Sequence, residues 1–154
     1  MLCIYTCAML KKYRKLFQFG DFYRLKSPFE GNETAWMVVS QDKTQAVAAL
    51  YQRLNKVNAS WLRLKLEGLD SDAKYQVSCD LTPSSSFDTE LAKRYGDDTE
   101  GNQVKTYEAY GDELMRAGIP VDRQELNKKG GDFASLLYTI TVSYTHLTLP
   151  TTPY

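Results

Sequence analysis

The spacing of hydrophobic and polar positions changes at Gly20. Before it, Leu10, Tyr13, Leu16 and Phe17 recur at helical spacing within residues 8–19, with Lys11, Lys12, Arg14 and Lys15 mostly on the opposite side. The pattern predicts one short amphipathic helix, with Gly20 in the C-cap position and lysines near its end that suit the helix dipole. The basic run reads as a solvated helix face, the alternative being contact with a membrane or an anionic partner. After Gly20 the period falls to two. Residues 22–26 and 34–40, joined across Glu30, Gly31, Asn32 and Glu33, predict a hairpin. In residues 45–54, Val47, Ala49 and Tyr51 alternate with Ala46, Ala48 and Leu50, so both faces are apolar. That is the pattern of a strand covered on both sides, although the alanines would also suit a helix. Residues 61–66 alternate cleanly, Leu62, Leu64 and Leu66 against Trp61, Arg63 and Lys65, which predicts one core face and one wet face. Residues 74–80 place Tyr75, Val77 and Cys79 inward, and further strands are predicted at 104–110, 119–125 and 133–141, the last entered through a turn at Gly130 and Gly131. A loop at 82–86, a short helix at 87–95 and an acidic turn at 97–101 interrupt the series. The predicted fold is mainly β, an antiparallel β-sandwich preceded by one short α-helix.

Composition narrows the chemistry. At 154 residues the chain is too short for an eight-unit β/α barrel, which takes ~250. Nineteen basic and nineteen acidic residues leave no positive excess for gripping nucleic acid. The one histidine is His146, so residues 1–140 hold no Ser-His-Asp or Cys-His system and no histidine zinc site. Cys3, Cys7 and Cys79 are an odd set without a CxxC pair, which argues against a disulfide framework. The opening apolar stretch is too short to span a bilayer, and its charges follow rather than precede it, unlike a secretory signal. With no such signal, the sequons at Asn32 and Asn58 read as chance matches. From Val142 the sequence VSYTHLTLPTTPY reads like translated adapter sequence, the alternative being a disordered tail.

Carboxylates and aromatics remain as candidates. The pairs Asp70 with Asp72, Asp97 with Asp98, and Asp112 with Glu113 invite comparison with glycoside hydrolysis, which uses two carboxyls ~5–9.5 Å apart. Asp70 and Asp72 sit in a Gly-containing turn, where Asp bonding to nearby backbone is the simpler role. Asp97 and Asp98 are also turn residues, and Asp112 with Glu113, after Gly111, reads as a structural turn or strand end. Trp61, on the wet side of its strand, is the first candidate for stacking on a sugar, with Tyr51 and Trp36 behind it. The phosphate-loop patterns GxxxxGK[ST] and GxGxxG are absent.

Several stretches carry a resemblance: Gln18-Phe19-Gly20-Asp21-Phe22-Tyr23-Arg24-Leu25, then Ser27-Pro28-Phe29-Glu30-Gly31-Asn32-Glu33-Thr34-Ala35-Trp36, and Leu64-Lys65-Leu66-Glu67-Gly68-Leu69-Asp70. Gly111-Asp112-Glu113-Leu114-Met115-Arg116-Ala117-Gly118 and Gly131-Asp132-Phe133-Ala134-Ser135 follow in order. Together they resemble the C-terminal part of bacterial alpha-galactosidases of glycoside hydrolase family 36. The segment 82–102 is longer than that family's usual connection, and Ala134 stands where a glutamine is expected. The resemblance implies that residues 1–20 are the end of the last helix of a (β/α)8 barrel, 21–141 a C-terminal β-sandwich, and 142–154 a non-native or disordered tail. It places both catalytic aspartates in the barrel, so no catalytic, cofactor-binding or metal-binding residue carries over to this chain. It further implies a retaining hydrolase of terminal alpha-galactosyl groups that needs no cofactor and acts in the bacterial cytoplasm, with no nucleic-acid or membrane partner. The barrel would be this domain's partner, in a parent that resembles homo-oligomeric relatives, often tetramers. The rival expectation is a freestanding carbohydrate-binding module built on Trp61.

Overall fold

The change of spacing at Gly20 is a change of layer. A computed structural model describes residues 2–55, 61–80, 105–121 and 132–143. Helix α1 (Leu2–Phe19) ends where Gly20 passes against the first hairpin. The Gly20 N–H donates to the Leu16 carbonyl at 2.8 Å, and a Cβ there would lie 2.6 Å from Val38 Cγ1 and 2.8 Å from the Val39 carbonyl oxygen. Close approach of two backbones, rather than a left-handed cap, therefore requires glycine at this position.

Strands β1 (Asp21–Lys26), β2 (Glu33–Val39), β3 (Gln45–Gln52), β5 (Lys74–Asp80), β6 (Lys105–Tyr110) and β8 (Ala134–Val142) form a six-stranded antiparallel sheet in the order β1-β2-β3-β8-β5-β6. A smaller antiparallel pair, β4 (Leu62–Leu64) with β7 (Ile119–Val121), makes the second layer together with helix α2 (Gly111–Arg116). The inner face of the large sheet supplies Met37, Ala48, Leu50, Tyr75, Val77 and Ile140, and the second layer answers with Leu62, Leu64, Leu66, Leu69, Leu114 and Ile119. Burying each such leucine contributes roughly 1.5–3 kcal/mol, so the three alternating leucines around β4 are enough to fix its register. On the opposite, outer face, Tyr13 and Leu16 of α1 cover Val38 and Val47. This explains why residues 46–50 of β3 are all buried: each face of the strand has a layer over it. The expected strand with two apolar faces is the observed one.

Elsewhere the structure adds to the expectation. Helix α1 starts at Leu2 rather than at residue 8, its last turn holds no basic residue, and Leu10 is 50% exposed, while among the described side chains of the helix Tyr13, Leu16 and part of Phe17 meet the sheet. The stretch 111–118, which had no predicted element, contains α2. It is under two turns long, too short to display a helical period. Asp112 and Glu113 lie in its first turn, Asp112 pairs with Arg116 at 2.7 Å, and Gly118 closes it at φ 76°, donating to the Glu113 carbonyl at 3.1 Å. Strand β4 is confined to three residues, since the Leu66 N–H leaves the ladder to donate to the Leu114 carbonyl of α2 at 3.2 Å. Strand β8 continues through Val142, and the Ser143 N–H donates to the Lys74 carbonyl at 2.8 Å. The predicted loop at 82–86, helix at 87–95, turn at 97–101 and turn at Gly130 and Gly131 lie outside the described residues, as do Asn58 and His146. No described helix is long and apolar enough to cross a membrane.

Candidate functional site

The sheet register sorts the outer face into rows. Phe22 of β1 stands opposite Val38 of β2, which pairs with Val47 of β3 and through it with Thr139 of β8, Ser78 of β5 and Thr106 of β6. The next row runs Trp36, Ala49, Leu137, and the one after it Thr34, Tyr51, Ser135. The β1–β3 side of this face is therefore apolar and aromatic, and the β5–β6 side is polar. Trp36 is half-buried between two rings: Phe22 stacks on it at 6.3 Å with a 25° interplanar angle, and Phe17 of α1 meets it edge-on at 6.4 Å and 67°. A shallow depression lined by Leu10, Lys11, Arg14, Phe17 and Gln18 borders the same helix.

Of the three aromatic candidates, Trp36 and Tyr51 thus share the outer face, two rows of one hairpin. Trp61 belongs to the other layer, beside Leu62 of β4, and is 92% exposed. The structure does not gather the three into one platform. Phe17 and Phe22 were not singled out in the sequence as partners of Trp36, because the cluster is assembled from a helix and two strands.

The carboxylates are engaged locally. Asp70 Oδ1 accepts the Asp72 N–H at 3.2 Å, so this pair closes its own turn. The Asp70 N–H donates to the Tyr75 hydroxyl at 3.0 Å, and that hydroxyl donates to the Lys43 carbonyl at 2.8 Å, tying the β2–β3 turn to the turn before β5. Lys43 is held there at φ 56°. Burial pushes the Tyr75 hydroxyl pKa above its usual range. Asp112 bonds Arg116 along α2, with Glu113 beside it in the first turn, while Asp97 and Asp98 lie outside the described residues. Asp42 accepts from Ser40 Oγ at 2.6 Å and from Thr44 Oγ1 at 2.8 Å, which holds its carboxyl below the usual range. Glu108 pairs with Lys74 at 2.5 Å and accepts from Ser143 Oγ at 2.9 Å, so its pKa is lowered while that of Lys74 is raised. Tyr107 is pushed up to about 12, by burial first and by the nearby Glu113 charge second. Among the described residues no three His, Cys, Asp or Glu side chains come together as metal ligands. The Asn32 amide of the first sequon both donates to the Leu54 carbonyl and accepts the Leu54 N–H, pinning the hairpin turn to the end of β3.

The family model described as "Glycosyl hydrolase family 36 C-terminal domain" matches residues 33–140. Alpha-galactosidase AgaA of Geobacillus stearothermophilus is 38% identical over 133 residues, covering 86% of this chain and 14% of that protein. Alpha-galactosidase Mel36A of Lactobacillus acidophilus is 30% identical over 131 residues, 83% of this chain and 13% of that protein. The crystal structure of the alpha-galactosidase from Lactobacillus brevis superposes with a TM-score of 0.63 at 38% identity, over 91% of this chain and 16% of that one. The chain spans about one seventh of the curated relatives' length. The sandwich of unequal sheets and the ordered run of matching residues lead to one conclusion: the chain belongs to glycosyl hydrolase family 36, of which it carries the C-terminal domain.

Proposed function

We propose that this chain is the C-terminal β-sandwich of an alpha-galactosidase, a structural support for a catalytic barrel that lies outside the 154 residues. The supporting observation is the match to the family's C-terminal domain within relatives named alpha-galactosidases, of which the chain spans 14% of AgaA. In this reading the parent cleaves terminal alpha-galactosyl groups from melibiose- and raffinose-type sugars with two barrel aspartates and no cofactor. It acts in the bacterial cytoplasm as a homo-oligomer. Residues 1–20 are the end of the barrel's last helix and 21–141 the sandwich, a division consistent with α1 lying on the outer face of the sheet. The carboxylates described above serve turns, a helix and a cross-strand ion pair. The test is release of galactose from a chromogenic alpha-galactoside. This chain alone is expected to give none, whereas full-length AgaA with its matched region replaced by this chain is expected to turn over. Turnover by the chain alone, or an inactive chimera, would refute the reading.

One observation favours a second reading, a carbohydrate-binding module: Trp61 is 92% exposed, as a stacking platform requires. Titrating the chain and a Trp61→Ala variant with galactosides separates the two. Saturable binding lost in the variant selects the module, and no binding by either leaves the support role.

A further inference from the structure

We draw no further inference here: the strongest candidate, the surface patch at the end of the large sheet where the exposed Phe29, Leu54 and Phe133 stand on the β1–β2 turn, the end of β3 and the entry to β8, carries nothing, since nothing in the structure shows what covers it.

Discussion

Removing one oxygen atom tests how the two layers are held together. Tyr75 is fully buried in the inner-face core, and its hydroxyl bridges two turns by donating to the Lys43 carbonyl at 2.8 Å and accepting the Asp70 N–H at 3.0 Å. Tyr75→Phe keeps the ring, so no cavity opens and the change isolates the two hydrogen bonds. An intramolecular hydrogen bond contributes about 1 kcal/mol net, and a buried group left unpaired costs roughly 1–3 kcal/mol. Both orphaned groups belong to turns that water can reach in part, which places the sum near the low end, at about 2 kcal/mol. Lys43 also holds a left-handed φ of 56°, a conformation that a lysine adopts at a cost and that this bond helps to retain. For a chain of this size the expected fall in Tm is about 4–8 °C. Urea unfolding followed by far-ultraviolet circular dichroism gives the free energy directly, with an unchanged m-value showing that the denatured state is not the cause. Tyr51→Phe, at an exposed ring, should stay within ~0.5 kcal/mol of the parent chain. A Tyr75→Phe variant within that same margin would refute the view that this hydroxyl clasps the layers.

Two further outcomes follow from the same contacts. In Gly111→Ala the new Cβ would lie 1.9 Å from the Asp70 carbonyl oxygen and 3.1 Å from Tyr75 Cε2, so the α2 turn must shift; a loss of at least ~3 kcal/mol, or failure to fold, is expected in urea titration. The Glu108 carboxyl has its folded pKa lowered by Lys74 first and Ser143 next, so it adds stability above its ordinary value of 4.5 that is lost as pH falls through the lower, folded value. Glu108→Gln should therefore flatten the drop in Tm below pH 4.5 while lowering Tm at pH 7, and a parallel displacement of the whole acid limb would contradict the assignment.

The strands were legible because a sandwich writes its two environments into alternate residues. Leu62, Leu64 and Leu66 against Trp61, Arg63 and Lys65 could be read as inside and outside without knowing what lay opposite, and the structure places them so. Residues 45–54 were legible for the complementary reason, since apolar residues on both faces demand two covering layers, and α1 and the second layer are those covers. What could not be read was whatever depends on chain segments meeting at a distance. Helix α2 owes its place less to its own six residues than to Gly111 and Gly118, which let it lie against Asp70 and Leu64. The GDELMRAG stretch, whose Asp112 and Glu113 were weighed as an acid pair, serves packing: its glycines are contact points, and Asp112 bonds along its own helix.

The aromatic candidates show the same limit from the functional side. Composition flagged Trp61, Tyr51 and Trp36 as a group, but membership of a surface is decided by register, and register separates Trp61 from the other two. It also recruits Phe17, read first as the core side of a helix, and Phe22, read only as part of a strand. A helix that covers Val38 and Val47 but leaves Phe22 and Tyr51 in water is an incomplete lid, and its incompleteness is informative. Stability of the isolated sandwich would be served as well by polar residues at those two positions. Apolar residues at those two positions, beside an ordered tryptophan, suit the support role proposed above, which leaves a neighbouring body to cover them, better than a self-sufficient module.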